Sequence, residues 1–300
     1  SSSVISRDGC LKLVDTHRIE LRIPTASFVA AGVSTLLQWS IKSATFSDGR
    51  PTELSPNSLT LLVGANNTGK TRALRDIAAA CAWHSPSDRI VVQSVEMEPP
   101  QPPQWLIRNW LRANFSLRPQ ANGEFADFAT SSINVDAIRY NAETCAFLVY
   151  VLGIEDRLQF SRHHQLGAIE GPPANMIDYV CRSDTLCDRI SEETRAAFGV
   201  GLLSDFGPSI GFRLGQREQR PAGDRASGAH RRALLTLPKL DDAGDGMRSF
   251  VGTLIALEAC PHPILLIDEP EAFLHPPQAR ILGGAVPDLT QSSGSNFDHL

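Results

Sequence analysis

The sequence predicts an α/β fold, and three observations predict it. Two short, continuous apolar runs, LTLLV at 59–63 and PILLID at 263–268, are typical of buried strands, and the first is typical of a buried parallel strand. Each run precedes a segment that favours a helix, at 71–83 and at 276–286. The chain has 300 residues, of which 42% are hydrophobic, so it can bury the core of one large domain or of a domain with a sizeable insertion.

Other predicted elements continue this α/β pattern. The further strands are predicted at 38–46, at 88–97, near 145–152 and near 209–214, and the further helices near 105–114, near 185–198 and at 246–259. The apolar residues of the last helix fall on one side of it: Met247, Phe250, Val251, Leu254 and Ile255. This spacing predicts an amphipathic helix.

Composition excludes several classes of protein. The net charge is −5, so no global charge draws the chain to nucleic acid or to an anionic membrane. The 6 cysteines are scattered without a C-x-x-C pair, which favours buried thiols in a reducing cytosol over a zinc site or a disulfide framework. The longest apolar stretches fall well short of the roughly 20 residues that a membrane helix needs. We therefore expect a cytoplasmic protein that does not contact a membrane.

The segment GANNTGKT, Gly64–Thr71, matches the phosphate-loop pattern G-x-x-x-x-G-K-[ST] between a strand and a helix. In such a loop, successive backbone N–H groups and the helix N-terminus bind a phosphate, and glycines allow the close turn. The predicted nucleotide-binding residues are Gly64, Asn66, Asn67, Thr68, Gly69, Lys70 and Thr71. Lys70 would reach the β- and γ-phosphates and take part in catalysis, and the Thr71 hydroxyl would bind Mg²⁺. The alternative is a glycine turn with a solvated lysine.

The segment ILLIDEPE at 264–271 supplies the carboxylates that a phosphate loop needs. A buried strand carries Asp268 to its carboxyl end, where ligands bind in open parallel sheets, so Asp268 is predicted to bind Mg²⁺. Glu269 follows and is predicted to take a proton from the attacking water. The alternative is a solvated acidic turn. Because both motifs occur in one chain, the sequence favours nucleotide hydrolysis.

Three segments carry a resemblance to a known group of ATPases: GANNTGKT, DAGDGMRSFVGTLIAL and ILLIDEPEAFLHPPQA. Together they resemble the ATP-binding-cassette-like (ABC-like) ATPases outside transporters, which include SMC-like proteins and the OLD-type ATPases. The resemblance extends to the AAA_21 or AAA_15 ATP-binding proteins of bacterial anti-phage systems. It implies a P-loop NTPase that has an ABC-ATPase-like head with a mixed sheet and a helical and β insertion. It also implies ATP and Mg²⁺ as cofactors. It further implies that two heads enclose two ATP molecules, each sealed by the partner's signature segment.

The resemblance also divides the chain into four parts. An extension at 1–34 precedes the first part of the ATPase core at 35–97, which holds the phosphate loop. An insertion and second lobe follow at 98–235. Residues 236–300 are the second part of the core, with the signature helix, the acidic motif and the following helix.

The segment at 241–246, DDAGDG, stands where the resemblance places the signature segment. The start of the following helix would offer N–H groups to a γ-phosphate across the dimer interface, with Gly244 and Gly246 in contact with nucleotide. The segment lacks the serine of the family pattern. Asp245 would repel a γ-phosphate unless it faces Mg²⁺, water or a basic group. Arg248 is a candidate for that compensation or for action on the transition-state charge of the partner's nucleotide. The alternative for Asp245 is an acidic residue that suits the helix dipole.

Some family features have no clear match. His275 follows Asp268 too closely to be the switch histidine, whereas His299 lies roughly in position on the polar segment SGSNFDHL. We therefore expect either that a longer natural chain continues past Leu300 or that the site is incomplete. Gln93 and Gln159 are both candidates for a metal-sensing glutamine, and neither is assigned. The other polar segments are RLQFSRHHQ at 157–165, which favours a polar loop, and the basic stretch at 213–232, which is either a solvated face or a contact to a phosphate backbone.

Three functions from different classes fit these residues. The first is an ATPase whose nucleotide-dependent dimerisation or higher assembly regulates an effector, in another domain or chain, with a role in anti-phage defence and possible DNA contact. The second is a DNA-repair or SMC-like head, against which the absence of heptad arms in the sequence counts. The third is a nucleotide sensor or scaffold with poor hydrolysis. A transporter subunit fits less well, because the serine-glycine signature is missing.

Overall fold

Small sheets and helices alternate along the chain. The computed structural model describes residues 12–14, 39–55, 59–64, 67–82, 88–98, 103–115, 117–128, 131–138, 144, 147–165, 173–206, 209–216, 219 and 228–292. These ranges hold strands and helices in one mixed α/β arrangement, with antiparallel sheets and one parallel strand pair. The predicted fold class is therefore confirmed at the level of a mixed α/β protein.

In the described residues of the first half, three small antiparallel sheets accompany a phosphate-loop helix. Its elements are β1 (Lys12–Val14), β2 (Ser40–Phe46), β3 (Pro51–Glu53), β4 (Leu61–Val63), α1 (Lys70–Cys81), β5 (Val92–Glu98), α2 (Gln104–Asn114), β6 (Leu117–Gln120), β7 (Gly123–Phe128) and β8 (Ser131–Asn134). Strand β1 pairs with β4, β2 pairs with β3 and β5, and β7 pairs with β6 and β8. Helices α1 and α2 pack their buried residues into the same core cluster as β2 and β5.

The second half places most of its helices around one buried helix. Its elements are β9 (Val149–Leu152), α3 (Ile154–Phe160), β10 (His164–Gln165), α4 (Met176–Cys181), α5 (Asp184–Phe198), β11 (Gly201–Phe206), β12 (Ser209–Gly215), α6 (Gly228–Leu235), a 3-10 turn (Leu240–Asp242), α7 (Asp245–Ala259), β13 (Ile264–Ile267) and α8 (Pro276–Ser292). Strand β12 pairs antiparallel with β10 and β11. The predicted helices at 71–83, 105–114, 185–198, 246–259 and 276–286 correspond to α1, α2, α5, α7 and α8.

Helix α7 is buried on all sides, so the predicted one-sided apolar face is wrong. Every residue from Ser249 to Ala259 is buried, including Thr253 and Glu258. Helices α3, α4, α5 and α8 all contact α7, which leaves it no solvent face over those residues. Two of its polar side chains have partners: the Thr253 hydroxyl donates to the Ser249 carbonyl at 2.8 Å, and Glu258 Oε1 accepts from Arg189 on α5 at 2.8 Å. A helix in the centre of a domain needs no polar face.

The strand before the phosphate loop differs from the prediction. Strand β4 pairs with β1 and is antiparallel to it, rather than lying in a parallel sheet. Leu61 and Val63 are 43% and 52% exposed, whereas Leu62 packs against the core. Successive side chains of a strand point to opposite faces, so one face of β4 is covered and the other is not. The prediction of a buried parallel strand at 59–63 is therefore wrong.

A parallel strand pair positions the acidic motif. Strands β9 and β13 run parallel in a register that places Leu152 opposite Ile267, and the Asp268 N–H donates to the Leu152 carbonyl at 3.1 Å. Strand β9 comes from the segment 98–235, which the sequence assigned to an insertion. The carboxyl ends of both strands meet at one edge of the pair, beside helix α1.

Helix α1 is held by a buried carboxylate. Asp76 is 1% exposed, and its Oδ2 accepts N–H bonds from Ile90, Val91 and Val92 at 2.9, 2.6 and 3.1 Å. Burial opposes the charge of Asp76, but these bonds and one from Arg72 outweigh it and lower the pKa of Asp76. Three main-chain donors on one oxygen fix the start of β5 against the phosphate-loop helix. The strand predicted at 88–97 accordingly begins at Val92.

Candidate nucleotide-binding site

The phosphate loop adopts a left-handed backbone at two positions before α1 begins. Gly69 caps α1 with φ 89° and Asn67 has φ 64°. Glycine has no Cβ to clash in this conformation, and asparagine tolerates it better than most residues. Asn66 lies outside the described residues. The local sequence thus explains why the chain turns sharply from β4 into the helix.

The loop closes on itself through its glycine and lysine. The Lys70 ammonium donates from Nζ to the Gly64 carbonyl at 2.8 Å, so Lys70 is not the solvated lysine of the alternative interpretation. A Cβ on residue 64 would lie 2.5 Å from the Thr68 hydroxyl oxygen, a distance that real Cβ atoms do not adopt. A side chain at residue 64 would therefore displace the Thr68 hydroxyl from its position against the loop. This is the compact form that a phosphate cradle takes.

Two predicted metal ligands meet across the chain. The Thr71 hydroxyl donates from Oγ1 to Asp268 Oδ1 at 3.0 Å, although 197 residues separate them. Thr71 lies in the first turn of α1, and Asp268 follows β13 at the edge of the parallel pair. A hydroxyl and a carboxylate are hard oxygen ligands of the kind that Mg²⁺ prefers. The donor set therefore fits Mg²⁺, and the phosphate loop and the acidic motif lie on the same side of the molecule.

The residue after Asp268 has an unusual backbone. Glu269 is exposed and has φ 45°, in the left-handed region, which costs a residue with a Cβ roughly 1–2 kcal/mol. The turn that follows is closed by N–H bonds from Ala272 to the Glu269 carbonyl at 2.9 Å and from Leu274 to the Glu271 carbonyl at 3.0 Å. Phe273 is also left-handed, with φ 67°. The structure thus holds a strained turn at the residue that the sequence predicts to be the base, and such turns cluster at functional sites.

An arginine that the sequence did not single out holds this turn. Arg157 on α3 is 0% exposed and donates to the carbonyls of Asp268 and Glu269 at 2.7 and 3.0 Å and to the Ser249 hydroxyl at 3.1 Å. Burial lowers the pKa of Arg157, while Asp268, Glu271 and Glu269 act in the opposite direction. The sequence placed Arg157 in a polar loop, and this prediction is wrong, because residues 154–160 form a helix.

The signature segment lies beside the same turn. Gly244 precedes α7 as its cap, and a Cβ on Gly246 would lie 2.7 Å from the Phe273 carbonyl oxygen. Gly246 is therefore required by the close approach of α7 to the turn after the acidic motif. Asp245 pairs with Arg248 at 3.2 Å, and Arg248 also donates to the Leu158 carbonyl at 2.9 Å. The compensation expected between Asp245 and Arg248 is present within one chain.

The remaining candidates are exposed or lie outside the described residues. His275 is exposed, and its N–H donates to the Gln278 side chain at 3.1 Å where α8 begins. Gln93 on β5 and Gln159 on α3 are both exposed. His299 lies outside the described residues.

Two residues that the sequence assigned to polar or basic loops have ionic partners: His163 is half-buried and Arg213 is buried. His163 Nδ1 lies 2.6 Å from Asp241 Oδ1, and Arg213 on β12 is 5% exposed and pairs with Asp205 at 2.7 Å. Asp205 has a pKa of about 2, because His163 and Arg213 stabilise its charge against burial. Arg213 is therefore not part of a solvated basic face. The network fixes the 3-10 turn that leads into α7.

Comparison with known proteins bears on the second half of the chain. Residues 187–295 match the AAA_21 family model, described as "AAA domain, putative AbiEii toxin, Type IV TA system". The matched range includes Gly244, Gly246, Asp268 and Glu269 but not the phosphate loop. No curated protein and no solved structure matches the chain. Among the described helices, none combines the length and the apolar content that crossing a membrane requires. The family match, taken with the mixed α/β fold, supports a nucleotide-binding ATPase of the P-loop class.

Proposed function

We propose that this chain binds ATP with Mg²⁺ between the phosphate loop and the acidic motif and hydrolyses it. The observation that carries the proposal is the 3.0 Å bond between the Thr71 hydroxyl and the Asp268 carboxylate. The fold brings these two residues together from distant parts of the sequence, in the pair of motifs from which the sequence predicts a metal–triphosphate site. A chance glycine turn would not require that neighbour.

Each predicted residue has a role in the proposal. Lys70 and the backbone N–H groups of the loop, including Gly64, Asn66, Asn67, Thr68 and Gly69, hold the phosphates. Thr71 and Asp268 hold Mg²⁺, which when bound neutralises charge on the β- and γ-phosphates. Glu269 accepts a proton from the attacking water, and its exposed position leaves its carboxylate accessible to that water. Lys70 additionally stabilises negative charge on the transferred phosphoryl group.

The assembly that we propose is a dimer or higher oligomer of ABC-like heads. Gly244 and Gly246 at the start of α7 would contact the nucleotide of a partner chain. The proximity of Gly246 to the Phe273 carbonyl supports this arrangement, since one approaching partner would meet the signature segment and the turn after Glu269 together. We further propose that ATP-dependent assembly regulates an effector, in a further domain or a separate chain, in anti-phage defence within the cytoplasm. The same proposal includes DNA contact. It also includes the division into an extension at 1–34, the first part of the core at 35–97, an insertion and second lobe at 98–235, and the second part of the core at 236–300.

Replacement of Glu269 by glutamine tests hydrolysis. Because a general base contributes about 100- to 10,000-fold, Glu269→Gln should lower kcat at least about 100-fold and leave ATP binding in place. The matched control is Glu192→Gln, the same chemical change on an exposed position of α5, which should turn over ATP as the parent does. Three quantities are measured for all three proteins. They are the rate of phosphate release from ATP, the affinity for ATP, and the molar mass with and without ATP.

The outcomes separate the alternatives. A parent that binds ATP and assembles without turnover would establish the sensor or scaffold instead of the ATPase. A parent with no affinity for ATP would refute the whole proposal. Equal turnover in the parent and Glu269→Gln would remove Glu269 from the base role while the ATPase remained.

A further inference from the structure

A buried arginine connects the signature helix with the acidic motif. The guanidinium of Arg157 is fully buried and reaches three acceptors on two other elements. Nε donates to the Ser249 hydroxyl on α7 at 3.1 Å, while Nη1 and Nη2 donate to the carbonyls of Asp268 and Glu269 at 2.7 and 3.0 Å. One side chain on α3 thus bonds both the helix that begins at the signature segment and the turn that carries the predicted base.

The acceptors of Arg157 in the acidic motif are main-chain atoms and not carboxylates. Arg157 bonds the main-chain carbonyls of Asp268 and Glu269, so their carboxylates remain available for a metal and a water. Two neighbouring carbonyls match the rigid fork of a guanidinium, whereas the single ammonium of a lysine cannot bond both in the same way. Because Glu269 has a left-handed backbone, the direction of its side chain depends on how firmly these carbonyls are held.

A side chain on α7 also bonds α3, in addition to the bond that Arg157 on α3 makes to α7. Arg248 on α7 donates to the Leu158 carbonyl at 2.9 Å and to the Ser161 hydroxyl at 3.1 Å. A Cβ on Gly252 would lie 2.1 Å from the Arg157 carbonyl oxygen, so the two helix backbones are in direct contact there. These contacts connect the start of α7 to α3, and the Arg157 side chain connects α3 to the turn at 268–269.

We propose that Arg157 is a positioning residue that couples the signature helix to the acidic turn and holds Glu269 in the orientation for hydrolysis. This inference rests on the proposed function. A merely structural arginine would support the stability of the fold without a specific effect on the turn or on turnover. A positioning arginine controls the rate of hydrolysis while ATP binding, which depends on the phosphate loop, is retained.

The test compares Arg157→Met and Arg157→Lys with the parent. The matched control is Arg182→Met, since Arg182 pairs with Asp178 at 2.9 Å at the end of α4, an element that carries none of the predicted site residues. Three quantities are measured: ATP affinity, kcat, and hydrogen exchange of the amides of Ala272 and Leu274, which close the turn. Exchange reports the turn directly and needs no turnover.

For Arg157→Met we expect kcat to fall about 10- to 100-fold, because small misplacements of a reacting group have effects of this size, with ATP affinity within about twofold of the parent. The two amides should exchange at least about tenfold faster than in the parent. Arg157→Lys should lie between Arg157→Met and the parent, because it keeps the charge and loses the fork. Arg182→Met should melt at a lower temperature than the parent and leave both kcat and the two amides unchanged.

Several results would overturn the proposal. Exchange at Ala272 and Leu274 that is equal in Arg157→Met and Arg182→Met would show that Arg157 does not hold the turn. Equal losses of kcat in these two variants would show a general effect of destabilisation. If Arg157→Met does not fold, Ser249→Ala removes one partner of Arg157 and should accelerate the same amides to a smaller extent, and unchanged amides there would count against the coupling. A parent without ATP turnover refutes the proposed hydrolysis, whereas the exchange measurement still decides whether Arg157 holds the turn.

Discussion

Acid should destabilise this fold through one buried histidine, His262. The His262 side chain is 3% exposed and stacks on Tyr150, with ring centroids 5.3 Å apart. Its Nδ1 donates to the Phe147 carbonyl at 2.6 Å. Burial lowers the pKa of His262 from 6.5 to about 4, and the bond to Phe147 acts weakly in the opposite direction. The aromatic neighbours cannot solvate a charged imidazolium, so the folded protein keeps His262 neutral.

The sign and the size of the effect follow from the two pKa values. In the unfolded chain His262 takes up a proton below about pH 6.5, whereas in the folded chain it does so only near pH 4. The contribution of neutral His262 to the free energy of unfolding is therefore present above pH 6.5 and is lost as the pH falls toward 4. The difference of about 2.5 pKa units corresponds to about 3 kcal/mol in total, of which about 2 kcal/mol is lost by pH 5.

Urea unfolding of the parent and of His262→Phe measures this term. Both proteins are unfolded in urea at a series of pH values from about 7.5 to about 4.5. At each pH the free energy of unfolding of the variant is subtracted from that of the parent, because the contributions of the other titrating groups then cancel. The lost bond to Phe147 adds an offset that does not depend on pH. We expect the parent to lose about 2 kcal/mol relative to the variant between about pH 7 and about pH 5. Parallel stability profiles would refute the burial of a neutral histidine at this position.

Two further predictions concern the same half of the chain. The pKa of His163 is raised, because its bonds to Asp205 and Asp241 favour the charged ring more than burial disfavours it. Its contribution to the free energy of unfolding is therefore fully present below the unfolded pKa of 6.5 and is lost as the pH rises through the folded pKa. His163→Gln should therefore lose more stability at about pH 5.5 than at about pH 8.5 in urea unfolding, the opposite trend to His262, and a loss independent of pH would contradict this. Gly252→Ala should lower stability by about 1–3 kcal/mol or more, because the added Cβ would lie 2.1 Å from the Arg157 carbonyl oxygen. Its control is Gly283→Ala on α8, where no described atom lies within 4 Å of the new Cβ and thermal unfolding should show a gain of about 0.5–1 kcal/mol, so equal losses in the two variants would contradict the close contact.

The sequence predicts the parts of the site whose chemistry is local. Gly64, Gly69, Lys70 and Thr71 follow from one spacing, and the left-handed Gly69 and the tight Gly64 contact explain that spacing physically. Asp268 follows from an apolar run that ends in an acidic residue. In each case, neighbouring residues in the sequence supply the constraint, so a pattern can detect it.

Arg157 could not be predicted in this way. Its acceptors on the acidic motif are main-chain carbonyls that lie 111 and 112 residues away, and any residue type can supply a carbonyl. Helix α3 has only 7 residues, too few for a periodic pattern. The prediction of a buried parallel strand at 59–63 was wrong for a related reason. A continuous apolar run does not show whether both faces of the strand are covered.

The topology explains why a short helix comes to hold the acidic turn. Strands β9 and β13 are parallel, so both end at the same edge, and α3 begins two residues after Leu152 while the turn begins directly after Ile267. The start of α3 is therefore near the turn after Ile267, and Arg157 is the α3 side chain that bonds the main chain of Asp268. An arginine there is long enough to span from α3 to both carbonyls, and Gly252 allows α7 to come close enough for Ser249 to complete the set. The pairing of β9 with β13 thus makes residues 149–160 part of the support of the acidic motif.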